Sequence, residues 1–167
     1  MDRRRFLSLG VSWPLVAPGM ACALAAPEAS VVLTISGKVG TANQRDAAVF
    51  DMPMLERLPQ TSFATRTPWY TQARKFTGPL LRDVLAAAGA KGSQLRAVAL
   101  NDYRVEIPFE DVLRHDVLLA RLLDDKPMAV RDKGPLFIIY PFDQDSRLRN
   151  AVYYSRCAWQ LKAIEVL

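Results

Sequence analysis

The stretch Val117–Pro141, VLLARLLDDKPMAVRDKGPLFIIYP, decides the fold. Two apolar runs, VLLARLL and LFIIYP, bracket a polar hinge that holds Asp124, Asp125, Arg131, Asp132 and Lys133. Short runs rich in Val, Ile and Leu, bounded by turn residues, read as buried strands. The charges between them must reach solvent or pair with one another, because a buried unpaired charge is very costly. The block therefore predicts two core strands and, between them, a place where charged chemistry can sit.

Working outward, Tyr153–Leu167 reads as an extended segment ending in LKAIEVL. On the other side, Leu95–Leu100 and Tyr103–Ile107 are two short strands around Asn101-Asp102, ordinary tight-turn residues. Pro108 starts a short helix through Arg114. The clearest helix opens at Thr77-Gly78-Pro79. In it Leu80, Leu81, Val84, Leu85 and Ala88 share one face at a period of 3.6, and Gly89 supplies the stop. Thr61–Thr67 is β-rich in composition and ends at Pro68. Phe50–Leu58 predicts a short helix with Asp51 as N-cap and Pro53 in its first turn. Val31–Ser36 is a first strand, and Gly37–Ala48 a polar turn region. With more strands than helices and no repeats, the expectation is one strand-rich α+β domain over residues 31–167, preceded by a linker at 26–30.

Residues 1–25 read as an export signal and not as part of the fold. Arg3-Arg4-Arg5-Phe6-Leu7 is of the twin-arginine type, followed by an apolar run. Pro14 and Pro18 interrupt that run, which falls short of the ~20 continuous apolar residues of a membrane span. Small residues at Ala23 and Ala25 suit cleavage after Ala25, and cleavage after Ala26 fits equally well. The expected compartment is the periplasm, with no transmembrane anchor. Gly19-Met20-Ala21 lacks the large apolar residue that would mark Cys22 for lipidation. Cleavage leaves Cys157 as the sole thiol, so no internal disulfide is expected.

The whole chain carries 22 Lys and Arg against 17 Asp and Glu, a formal net charge of +5. Removing Asp2 and the three arginines brings this to +3. No run of Lys or Arg remains after residue 25, which argues against a nucleic-acid footprint. No Ser-His-Asp arrangement, paired-carboxylate motif, phosphate-cradling glycine loop or zinc spacing occurs, so hydrolase and nucleotide-binding classes have no support. His115, the only histidine, ends a short helix beside Asp116 and reads as a helix C-terminal cation.

Four segments carry a resemblance: NDYRVEIP (Asn101–Pro108), VLLARLLDDKPMAVRDKGPL (Val117–Leu136), the closing WQLKAIEV (Trp159–Val166) and the helix TGPLLRDVLAAAG (Thr77–Gly89). Together they resemble the sulfite-oxidase-fold, molybdopterin-binding oxidoreductase domain family, over Val31 to Val166. The resemblance implies that fold, molybdopterin as cofactor, and a cysteine thiolate on molybdenum shortly before the Thr77–Gly89 helix. It also implies an arginine after the G-x-P-L turn that helps hold the anionic cofactor or substrate. This sequence departs from both. FATRTPW places Arg66 and Thr67 where the cysteine is expected, and a hydroxyl is a far weaker ligand for molybdenum than a thiolate. Gly134-Pro135-Leu136 leads into Phe137, which cannot replace a planar permanent cation. Cys157 lies in a different segment and reads as a small buried hydrophobe.

The candidate cofactor- or anion-binding residues are Arg66, Thr67, Trp69, Asn101, Asp102, Tyr103, Arg131, Lys133 and Arg156. No catalytic residue and no metal ligand is assigned. Arg66, Thr67 and Trp69 read either as a pocket floor or as a strand end with a packing tryptophan. Asn101, Asp102 and Tyr103 read as turn chemistry or as lining of the same pocket. Arg131 either pairs with Asp132 before Gly134 or offers its donors to a phosphate or carboxylate. In an extended segment Arg156 and Trp159 would face opposite ways, which points Arg156 into the pocket. Two functions follow. One is a cofactor-free periplasmic binding or sensory module whose cleft, lined by Arg66, Trp69, Arg131 and Arg156, takes a small anion or a membrane or periplasmic protein partner. The other is an active molybdopterin-dependent oxidoreductase of periplasmic redox chemistry.

Overall fold

The computed structural model describes residues 24–167. The twin-arginine stretch, Cys22 and the rest of the expected signal up to residue 23 lie outside the described residues. Residues 26–30, read as a linker, lie against the domain: the N–H groups of Glu28 and Ala29 donate to Asp51 Oδ2 at 2.6 and 2.8 Å.

Alternation of apolar residues builds the central sheet. In β1 (Val31–Gly37) Leu33 and Ile35 point inward and are fully buried. β2 (Ala48–Asp51) returns antiparallel to it. The sheet continues through β12 (Leu161–Val166), β5 (Gln94–Ala99) and β6 (Arg104–Pro108), in the order β2-β1-β12-β5-β6. The last strand thus inserts in the middle, parallel to β1 and antiparallel to β5. Gly37 ends β1 with φ +84° where a Cβ would lie 2.3 Å from Val166 O, so glycine is needed for both conformation and space.

A second sheet has the order β3-β4-β8-β9, from β3 (Gln60–Thr67), β4 (Tyr70–Pro79), β8 (Leu122–Leu123) and β9 (Lys126–Pro127). The third, β11-β10-β7, joins β11 (Ala158–Trp159), β10 (Phe137–Ile139) and β7 (Leu118–Ala120). VLLARLL is therefore two strands and not one. It crosses between sheets at Arg121, whose guanidinium donates to Glu56 and Gln60, each at 2.9 Å. That paired guanidinium marks the break.

Helix α1 (Met52–Arg57) begins as its cap residues dictate: Asp51 Oδ1 accepts from Met54 N at 2.8 Å, and Pro53 occupies the first turn. α2 (Leu81–Ala87) buries Leu81, Val84 and Leu85, and Gly89 at φ +60° terminates it. Thr77-Gly78-Pro79 belongs to the end of β4 and not to the helix. α3 (Phe109–Arg114) follows Pro108. The extended reading of Tyr153–Leu167 needs correction at its start. Asn150 Oδ1 accepts from the N–H groups of Val152 and Tyr153 and opens α4 (Ala151–Ser155). One core runs through the molecule, with Phe50, Phe76, Phe137, Tyr140 and Phe142 all at 1% exposure or less. The architecture is a single strand-rich mixed domain.

Candidate functional site

Three segments converge on one cleft of about 590 Å³. The β3–β4 turn brings Pro68 and Trp69, the β5–β6 turn brings Asn101 and Tyr103, and α4 with β11 brings Tyr154, Ser155, Cys157 and Trp159. Trp69 stands at the centre of an aromatic set. Its ring lies 5.4 Å from Trp159, 5.8 Å from Phe137 and 6.2 Å from Tyr154, the Trp159 and Tyr154 contacts being edge-to-face. Rings at this spacing contribute ~0.5–1.5 kcal/mol per pair beyond their burial. Phe137 also meets Phe76 at 5.7 Å, so the cleft wall is continuous with the core. No charged side chain lines the cleft among the described residues.

The candidate residues do not share this cleft. Trp69, Asn101 and Tyr103 line it, and Asn101 Oδ1 also accepts from Tyr103 N at 3.2 Å to fix the turn. Asp102, at φ +63°, instead meets Lys162 at 2.7 Å. That ammonium holds the Asp102 carboxyl below its ordinary value.

Arg66 and Thr67 line a neighbouring depression of about 330 Å³ that shares Pro68 and Tyr154 with the cleft. Both arginines there are spoken for. Arg66 lies 3.5 Å from Asp143 Oδ2, and Arg149 Nη2 donates to Asp143 Oδ1 at 2.7 Å. Burial works against the Asp143 charge, but the N–H of Arg66 and the two guanidinium groups outweigh it and hold the carboxyl below its usual range. Thr67 is buried, its hydroxyl accepting from Trp69 N at 3.4 Å.

Arg131 and Lys133 lie in a third place, a depression of about 390 Å³ with Tyr70, Arg74 and Lys126. Arg156 is in none of them. As the C-cap of α4 it turns back, and its Nη1 donates to Asp111 Oδ2 at 2.7 Å. Tyr140 OH donates to the same oxygen at 2.9 Å, and burial, with the carboxylate beside it, pushes that phenol well above its ordinary value. The face alternation expected of an extended segment fails here because residues 151–155 are helical.

Cys157 borders the cleft but is 3% exposed, and its Sγ donates to Tyr153 O at 3.6 Å. Burial pushes the thiol well up, so it is protonated at neutral pH. His115 packs edge-to-face on Tyr153 at 5.7 Å. Among the described residues no three His, Cys, Asp or Glu side chains converge to hold a metal ion. The sequence reading missed Tyr154 and Ser155, for which the signal was the capping residue Asn150 before AVYYS. It also missed Tyr70, Arg74 and Lys126, whose convergence depends on strand pairing.

The family model for the oxidoreductase molybdopterin binding domain matches residues 32–143, two thirds of the chain. The match takes in Trp69, Asn101 and Tyr103 but ends before α4 and β11. No curated protein matches the chain.

Proposed function

The chain belongs to the molybdopterin-binding oxidoreductase domain family, and from that premise we propose that this member works without the metal, as a binding module. One observation carries the reading: the cleft is walled by Trp69, Tyr154, Trp159 and Pro68, and the one thiol lining it, Cys157, is 3% exposed with its Sγ donating to Tyr153 O. A thiolate is a far better molybdenum ligand than a hydroxyl, and Arg156, the cation next to this thiol in sequence, is taken up by Asp111. The segment before α2, where the resemblance implies the ligand cysteine, offers Thr67, buried and bonded to Trp69. Phe137, where it implies an arginine, is fully buried among rings. The residues present do not fit molybdenum ligation.

The occupants expected from the sequence are a small anion and a protein partner. The aromatic cleft favours an uncharged, flat group of a ligand or of a partner side chain. Its apolar walls reward ring burial at ~25 cal/mol per Å², and Asn101 and Ser155 supply polar contacts at the rim. An anion would meet no cation in that cleft, since Arg66 and Arg149 line the neighbouring depression, where the two share Asp143. The second reading, an active molybdopterin-dependent oxidoreductase, is favoured by family membership itself.

We place the protein in the periplasm on the Arg3–Leu7 signal. Among the described residues no helix is long and apolar enough to cross a membrane. The test is elemental analysis of the full chain produced in a molybdenum-replete host, with pterin fluorescence after oxidative release. The binding-module reading expects neither metal nor pterin. Stoichiometric molybdenum overturns it in favour of the oxidoreductase.

A further inference from the structure

The third depression, whose Lys133 rests over Trp159 of the aromatic cleft, is cationic. Pairing of β4 with β8 places Tyr70 and Arg74 beside the β8–β9 hairpin that carries Lys126. The turn after it presents Arg131 and then Lys133, whose φ of +72° turns the chain back. Met128 completes an apolar wall next to the Tyr70 ring.

Two of the cations here, Arg74 and Lys133, rest over rings, and the set is largely unanswered. Lys133 Nζ rests over Trp159 at 4.5 Å and over Tyr70 at 6.0 Å, and its carbonyl accepts from Gln160 N at 3.0 Å. Neither Lys133 nor Lys126 meets a carboxylate within ion-pair distance among the described residues. Arg131 reaches only Asp132, at 3.5 Å, and its side chain is 89% exposed. Arg74 lies over Tyr70 at 5.3 Å and pairs with Asp124 through Nε at 2.6 Å, and among the described residues its guanidinium makes no hydrogen bond. Four cations thus face two carboxylates, Asp124 and Asp132, an excess of two positive charges around about 390 Å³. Burial pushes the Tyr70 phenol up despite Arg74, so it stays a hydroxyl donor at neutral pH.

We propose that this depression is a second binding site, for a dianion joined to a ring, with an aryl phosphate monoester as the matching chemistry. A phosphate monoester carries close to two negative charges at neutral pH and three acceptor oxygens, which answers the charge excess and the donors of Arg74, Lys126, Arg131 and Lys133. A carboxylate brings half that charge. The ring then lies against Leu123, Pro127 and Met128, the apolar residues of the same wall. No residue lines both this site and the aromatic cleft, so the inference stands or falls apart from the reading of that cleft.

The experiment is calorimetric titration of the full chain with phenyl phosphate, inorganic phosphate and phenol. Phenyl phosphate is expected to bind saturably and to weaken with added salt. Inorganic phosphate and phenol are each expected to bind at least about tenfold more weakly. The double variant Lys126→Ser/Arg131→Ser changes only exposed side chains and is expected to lose at least about tenfold in phenyl phosphate affinity. Tyr103→Ala, on the rim of the aromatic cleft, is expected to leave that affinity unchanged. Absence of saturable binding up to about 10 mM, weaker than any useful site, overturns the proposal. So does undiminished affinity in the double variant, or loss of binding in Tyr103→Ala. Equal affinity for inorganic phosphate refutes the ring-bearing ligand.

Discussion

Replacing Arg156 with methionine tests whether that arginine is a fastening of the fold or a ligand-binding group. Its guanidinium joins Asp111 of α3 at 2.7 Å, while Tyr140, just past β10, donates to the same carboxylate at 2.9 Å. One carboxylate thus ties three separate segments. The side chains of Arg156 and Asp111 are 23% and 11% exposed, so the pair is largely desolvated. Arg156→Met removes the guanidinium, which also lies 5.2 Å from the Tyr153 ring, and leaves a buried carboxylate with one neutral donor. Breaking one side of such a pair costs ~3–5 kcal/mol, and the residual exposure places this case near about 3 kcal/mol. For a domain of about 150 residues, each kcal/mol moves Tm by ~3–4 °C, so a drop of about 10 °C is expected. Calorimetric melting at pH 7 reads it directly. The double variant Arg156→Met/Asp111→Leu removes the stranded charge, so its loss should be smaller than the sum of the two single losses. An Arg156→Met protein that melts within about 2 °C of wild type would refute the fastening.

Phe137→Arg places a guanidinium among Trp69, Phe76 and Trp159. It is expected to cost more than about 4 kcal/mol and to give insoluble protein. Phe137→Leu should stay soluble with a loss of roughly 1.5 kcal/mol in urea unfolding. Asp51→Ala removes the acceptor for three backbone N–H groups, from Glu28, Ala29 and Met54, and is expected to lower the urea midpoint at pH 7. Burial raises the Asp51 pKa, but those donors and Arg57 outweigh it and hold it below the ordinary value. A depressed carboxyl stabilises the fold above its unfolded pKa of about 3.9 and loses that contribution as pH falls through the folded value. The gap between wild type and variant should therefore be full at pH 7 and close in strong acid. A gap that stays constant from pH 7 to about 2 would contradict this. Gly78→Ala sets a methyl 2.1 Å from Leu119 O, where β4 passes β7, so it should melt well below Gly40→Ala, whose methyl meets Gly89 O at 3.2 Å.

Elements whose local signals agreed with their burial were legible in the sequence. Asp51 and Pro53 marked α1 because capping needs only neighbours. Asn101-Asp102 marked the β5–β6 turn for the same reason. β4 was not legible because Tyr70–Lys75 alternates no apolar residues, most of its side chains facing solvent; pairing with β3 makes it a strand. α4 is five residues with none fully buried, too short to show a helical period. The scatter of the arginines has a different origin. A guanidinium goes to whichever carboxylate the fold brings near, and those partners are far apart in the chain: Arg66 and Asp143 by 77 positions, Arg156 and Asp111 by 45. Residue type announced a cation, and only topology decided that it was already paired.

The aromatic continuity from core to cleft bears on why the binding reading and the fold belong together. Phe76, Phe137, Trp69 and Trp159 form one chain of ring contacts at 5.4 to 5.8 Å, running from a fully buried residue to the cleft wall. Side chains fixed by a packed core lose little freedom when a ligand arrives, so the ordering cost of binding is already met by folding. The same continuity works against a cation at position 137, since it would sit where three rings now exclude water. A cation at position 137 and this aromatic core are thus alternatives. Under the proposed function, the change at Phe137 does more than remove an anion-holding group: it supplies the ring that makes the cleft a rigid apolar receptor.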